Sequence, residues 1–497
     1  TSAALNEAVN ITATGTATSS ETVTILGAAN TGTTSIAAAS MTAAQAVALN
    51  FDATGNDTIT SLTVTDAATV SQATALRTDQ TNGDVTSLTI SSLSDTAANI
   101  SAIAAAVLNN VSGTVTATAY TNETLTNVTT QTLNVITADS AVLDASKLAT
   151  ADAITIGAGT ASGTATAIDS LGDSKVTVAS GATLNVSGYT TETLGGLTNN
   201  GTVNVTTANG AVLDATNLAD ATTITIGAGT ASGTAADVNS LGEEKITIAT
   251  GTTLNVSAYT NQELAGFIKQ GTGVLNVSTA DGAVLTSANL ADANAITIAA
   301  GSATIDAAST DEVALAAKTT VNNGTTLTVN NYVNTDLSGL SNQGSGSIVV
   351  NTTTSAVLDE AKLADATSVV LGAAASGAAS AIDGIGTNGG NINLNNQTLS
   401  VSGYTTQNLS GITSAGTLNV TTVTGAVLDA VKLATADSIT LVGTNTATAA
   451  DADTFGARLG GTATLNITTD PITTNTDLSD LGSGLTLQFG GNTTLVP

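Results

Sequence analysis

The string "AVLDATNLADATTITIG", which begins at Ala211, has four relatives in the same chain, and this repetition restricts the possible folds more than any other feature. The relatives begin at Ala141, Ala283, Ala356 and Ala426, so successive copies start 70, 72, 73 and 70 residues apart. Tyrosine gives the same period. The chain's five tyrosines, Tyr120, Tyr189, Tyr259, Tyr332 and Tyr404, fall one per repeat at intervals of 69, 70, 73 and 72.

Each repeat divides into three similar units, most plainly over residues 152–221. A unit opens on strand-like alternation (Ile154 and Ile156, Val176 and Val178, Val203 and Val205) and passes through Gly, Ser, Thr and Asn turns. It closes on a spaced apolar pair such as Ile168 with Leu171, Leu194 with Leu197, or Leu213 with Leu218. Asp144, Asp214, Asp359 and Asp429, with Thr286 in the third copy, precede short segments that read as helical. Both residue types accept a hydrogen bond from a first-turn amide, so the series is expected to cap corners rather than to line up carboxylates for cations.

A unit of about 23 residues cannot bury an apolar face alone, whereas stacked units cover one another. The sequence therefore predicts a mainly β chain, an elongated parallel β-solenoid of about 23-residue rungs with short helical corners, three rungs per 70–73-residue repeat. At ~4.8 Å per rung, roughly 21 rungs would make a rod on the order of 100 Å long.

Three regions are expected. Residues 1–115 read as divergent rungs, with strands near "VNITA", "ETVTIL" and "SLTVTD" and longer helical pieces in "MTAAQAVALN" and "SDTAANISAIAAAVLNN", the latter capped by Ser94 or Asp95. Residues 116–445 hold the five-copy repeat. Residues 446–497 continue it, since "TATAADADTFGARLGGTATLNIT" parallels "TATAIDSLGDSKVTVASGATLNVS". The chain starts at Thr1 rather than Met and shows no signal peptide, which reads as a processed product or an excised region.

Composition narrows function by exclusion. With no His and no Cys, the chain has no material for a Ser-His-Asp triad, a Cys nucleophile or a His/Cys zinc site, and an enzyme is not expected. Nine Lys and Arg against 38 Asp and Glu give a net charge of −29, which repels nucleic acid and anionic membranes. No apolar run is long enough to span a bilayer, so membrane insertion is not expected either.

Several residues carry candidate chemistry. Asp57 in "TGNDTIT" matches half of a calcium-binding nonapeptide turn, which makes it the one candidate metal ligand and calcium the one candidate cofactor. Asn134, Asn185, Asn255 and Asn419 lie between apolar neighbours, hence on the face away from the core, either as a side-chain ladder or as ordinary solvent-facing residues. Thr223 and Thr225 hint at a flat ice-binding grid, but Ala153, Ala295 and Val370 break it in other copies. The Asn-x-Ser/Thr triplets, such as those at Asn122, Asn204 and Asn466, follow from composition. The tyrosines are expected in equivalent environments along one side, as half-buried corner residues rather than glycan-stacking surfaces.

In style the whole chain resembles bacterial S-layer and giant surface-repeat proteins: it is Thr/Ala/Gly/Asn-rich, Cys-free and acidic, with strings such as "SDTAANISA", "TLNVSGYT" and "GNDTIT". The resemblance implies an extracellular location at a bacterial cell surface and frequent calcium dependence, although tandem calcium-binding turns are absent here. The expected function is that of a structural subunit of a surface layer, sheath or filament; the alternative is the stalk of a large repeat adhesin. The apolar "SGLTLQFGGNTTLVP" end reads as a poor cap, so self-association is expected, with Ca²⁺ or Mg²⁺ bridging carboxylates between subunits.

Overall fold

The computed structural model describes residue 5 and residues 10–52, 55–308, 311–468 and 476–490. Among these the protein is mainly β, and its strands pair in parallel sheets. The residues fall into two compact units, one reaching Ala231 and including Lys245–Thr252, the other comprising Ser232–Glu244 and the chain from Thr253.

In the first unit a nine-stranded sheet begins with Ile11–Ala17, Thr34–Met41, Asp57–Ala68 and Val85–Thr96. It continues through Thr114–Tyr120 and Thr132–Thr137 to Ala151–Ile156, Val176–Val178 and Thr198–Asn199. A second ladder runs through Ala141–Leu143, Thr160–Thr164, Thr183–Tyr189, Thr202–Thr207, Thr223–Ile226 and Ile246–Ile248. Like stands beside like. Ile154 faces Val176, Leu184 faces Val203, and Ile224 faces Ile246, each step advancing the chain by 19 to 22 residues, close to one third of the repeat.

The second unit repeats this arrangement. Leu254 faces Leu275, Leu327 faces Ile348, and Leu399 faces Leu418. The alternation explains why these segments are strands: inward side chains such as Ile224 and Ile226 are wholly buried, while Thr223 between the turns is exposed and Thr225 half-buried. Burial of one such Ile contributes about 1.5–3 kcal/mol, and the parallel ladder satisfies the backbone that accompanies it.

Short helices occupy one part of the repeat. Ala165–Leu171, Ala235–Leu241 and Ala449–Phe455 are capped by the hydroxyls of Thr164, Thr234 and Thr448 and bury Ile168, Val238 and Phe455. The Asp series instead caps tight turns. Only Glu360–Lys362 becomes a short 3-10 helix there, with the Asp359 carboxylate accepting from the Ala361 amide.

Local capping explains three departures from the sequence reading of the first 115 residues. "ETVTIL" lies within a helix, Ser19–Leu26, because Thr18 and Glu21 form a reciprocal capping box that outweighs the β-branched side chains. A 13-residue helix, Val70–Asn82, starts from a second such box (Thr69 with Gln72) and stops at Gly83, whose φ of 92° suits glycine. "SDTAANISAIAAAVLNN" forms two short helices, Ala97–Ser101 and Ala105–Leu108. The cap of the first is Thr96, not Ser94 or Asp95, while Asp95 accepts from the amides of Thr96 and Val70.

Candidate functional site

The repeated tyrosine corner gathers recurring polar contacts. Thr114–Tyr120, Thr183–Tyr189, Thr253–Tyr259, Thr326–Tyr332 and Thr398–Tyr404 all break register just before the tyrosine, which marks a β-bulge. The residue at the bulge has positive φ in every copy: Ala119 at 51°, Gly188 at 70°, Ala258 at 56°, Asn331 at 56° and Gly403 at 74°. The bulge turns the ring inward. All five tyrosines are completely buried, which corrects the half-buried placement expected from sequence.

Burial requires a partner for each hydroxyl. Tyr120, Tyr189 and Tyr259 donate 3.1 Å hydrogen bonds to the carbonyls of Val142, Val212 and Val284, the central residues of the "AVL" strands, and Tyr332 reaches Val357 at 3.4 Å. The Tyr404 hydroxyl is buried without a partner. Burial pushes the phenols of Tyr120, Tyr189, Tyr332 and Tyr404 upward, Tyr189 to about 12, so these four remain neutral over the physiological range.

The chain then turns on a Thr-x-Glu/Gln motif that sequence reading missed. Glu192 Oε2 accepts from the amides of Thr190 (2.7 Å) and Thr191 (3.0 Å), and Glu123 does the same for Thr121 and Asn122. In later copies the neutral Gln262 and Gln407 take the same bonds through Oε1. The recurring signal was visible as Tyr-Thr-x-Glu/Gln in "YTNE", "YTTE", "YTNQ" and "YTTQ".

Three further sets of repeat positions bind the chain's own backbone. Asp144 accepts from the amide of Ser146, Asp214 from Thr216, and Asp429 from Val431, while Thr286 accepts from Asn289. Asp139, Asn209 and Asp281 accept from the amides of Thr160, Thr230 and Ser302, about 21 residues on, at 2.7–2.8 Å. Lys147, Lys362 and Lys432 donate to carbonyls of Asn122, Asn334 and Thr406, and Asn217 and Asn289 replace them in the other two copies.

Outward-facing asparagines pair across the ladder. Asn204 donates to Asn185 at 3.0 Å and receives the Thr223 hydroxyl at 2.8 Å; Asn276 donates to Asn255, and Asn419 accepts from Ser438. Asn134 stands between Thr116 and Ala153, which offer no amide side chain. Thr223 thus belongs to the asparagine ladder, while Thr225 lies in a separate file between Thr206 and Thr247. Val370 and Gly460 interrupt the corresponding files elsewhere.

Asp57 opens the strand Asp57–Ala68, is 5% exposed, and accepts from the Asp52 amide at 3.0 Å. Nearby, Phe51, Asp52, Asp79, Asn82 and Asp84 line a polar cleft of about 360 Å³. Burial, with Asp84 beside it, raises the Asp79 carboxyl above its ordinary range. Among the described residues no group of three or more Asp or Glu is arranged to hold a metal ion, and no helix is long and apolar enough to cross a membrane.

No family model matches the chain, and neither a curated protein nor a solved structure does.

Proposed function

We propose that the chain is a parallel β-solenoid with three rungs per repeat and that its task is mechanical. On this reading it is an extracellular structural subunit of a bacterial surface layer, sheath or filament. The observation that carries the reading is the internal use of polar groups. Carboxylates, amides, ammonium groups and phenols at repeat positions bind backbone or side chains about 19 to 28 residues away, in neighbouring parts of the same ladder. Where copies differ, the substitute makes the same bond: Gln262 for Glu192, Asn289 for Lys147, Thr286 for Asp214. Variation of this kind preserves stiffness and discards any fixed chemistry.

The location rests on the likeness of the repeats to bacterial surface proteins, and the assembly on length, stiffness and the need to screen a charge of −29. Light scattering of the purified protein at low salt, with chelator and with millimolar Ca²⁺, tests the assembly. Mass should rise with Ca²⁺. A chain that stays monomeric under every condition belongs to an adhesin stalk instead, and assembly indifferent to chelation removes the cation bridge alone.

A further inference from the structure

Glu243 is the one strongly buried carboxylate in the chain with an unpartnered oxygen among the described residues: the residue is 7% exposed, and Oε1 has no hydrogen-bond partner. It follows the helix Ala235–Leu241 and Gly242, whose φ is 87°. The charges that act on it are Glu244, its chain neighbour, and Glu263, from the turn after the strand Thr253–Tyr259. Both are of its own sign. No cation acts on it, although Lys245 follows two residues later.

The preceding copy treats the same position differently. Asp173, seventy residues earlier, directs Oδ2 to the Gly196 amide at 2.7 Å and Oδ1 to the Ser174 amide. Seventy residues on from Gly196, the Gly266 amide is taken by Asp292 at 2.7 Å, and the site of Thr193 is filled by Glu263. The second copy has therefore lost the amide that would hold this carboxylate and gained a negative neighbour. A carboxylate so placed is costly when ionised and harmless when protonated. Its ionisation is accordingly displaced upward, with burial the largest cause and Glu244 and Glu263 adding to it.

We propose that Glu243 is a pH-sensitive weak point of the repeat, closed while its carboxyl carries a proton and loosened when it ionises, so that neutral or alkaline surroundings open the ladder there before elsewhere. The sign follows from linkage. A carboxyl bound more tightly to its proton in the folded state contributes stability below its unfolded value and loses it as pH rises through the folded one. Most carboxylates in this chain that depart from their ordinary values are displaced downward and act in the opposite sense, Glu123, Glu192 and Asp281 among them. The Glu243 effect is therefore local and must be read locally.

Hydrogen exchange on the full chain between pH 5 and pH 8, corrected for intrinsic rates, reads the opening of residues 236–264 peptide by peptide. In the wild type the opening constant of this segment should rise with pH, by at most about tenfold per pH unit, since one proton is linked. Glu243→Gln should flatten that rise. Glu263→Thr, which restores the residue of the preceding copy, should keep a smaller rise that levels off at lower pH, because removing a negative neighbour favours ionisation within the folded chain. An unchanged pH dependence in Glu243→Gln, or protection at 236–264 that falls on acidification instead, overturns the proposal.

Discussion

The Tyr189 hydroxyl donates to the Val212 carbonyl across 3.1 Å, joining a completely buried ring to the middle of a strand 23 residues further along the chain. Tyr404 holds the same place three repeats later without that bond. One chain thus contains both the experiment and its control. Tyr189→Phe should lower unfolding stability by about 1 kcal/mol, the ordinary worth of a buried neutral hydrogen bond. Tyr404→Phe should change it by no more than a few tenths, or raise it. Denaturant titration of the two variants checks this, and equal losses would show that the hydroxyls matter through packing alone.

The bulge before each tyrosine makes a second comparison. Ala258 holds a φ of 56° that costs an L-residue roughly 1–2 kcal/mol, whereas Gly188 and Gly403 hold the same conformation freely. Ala258→Gly should therefore stabilise by about 0.5–1 kcal/mol, the gain being reduced by the larger entropy of glycine in the unfolded chain. Gly188→Ala should destabilise by a similar amount. Nothing lies within 4 Å of the position its Cβ would take, so the loss measures backbone strain and not a clash.

Acid should attack the first two tyrosine corners before the later ones. Burial pulls the Glu192 carboxyl upward, but the Thr190 and Thr191 amides and the Thr166 hydroxyl outweigh it, and the group ends below its ordinary range; Glu123 behaves likewise. A lowered carboxyl contributes fully above its unfolded value of about 4.3 and loses that contribution as pH falls through the folded one. Gln262 and Gln407 hold the same turn without a charge. The double variant Glu123→Gln, Glu192→Gln should thus be less stable than wild type near pH 7 and converge with it below about pH 4. Stability curves that run parallel from pH 7 to pH 3 would contradict this.

The repeat's own substitutions predict which cap changes are tolerated. Asp214→Ala removes the acceptor for the Thr216 and Asn217 amides and should cost about 1 kcal/mol. Asp214→Thr should cost less, since Thr286 serves the third copy, and Lys147→Asn should stay within about 0.5 kcal/mol because Asn217 already performs that task. Thermal or denaturant unfolding separates these outcomes.

Period, strand positions and parallel β class were legible in the chain because alternation and repetition are properties of sequence alone. So were the Asp144-type caps and the outward face of the asparagines, but not their pairing, which depends on the residue opposite: Asn204 meets Asn185, whereas Asn134 meets Thr116 and Ala153. The helix Ser19–Leu26 was not, because a capping box at Thr18 and Glu21 decides it against the β preference of Val23 and Ile25. Tyrosine burial was hidden for another reason. The bulge that turns Tyr120 inward is set by backbone conformation at Ala119, a residue type that gives no hint of positive φ. Glu243 escaped notice because its sequence neighbours look like any acidic turn. Its isolation appears only when the lost Gly196-type contact is compared in space.

The most direct test of the central claim is the radius of gyration of the monomer by small-angle scattering, with sequence mass confirmed in the same run. A stack of about 23-residue rungs at ~4.8 Å per rung implies a rod and a radius of about 30 Å or more, with a pair-distance distribution skewed to long vectors. A symmetric distribution and a radius near 23 Å, the value for a compact globule of this length, would contradict the solenoid and with it the mechanical function.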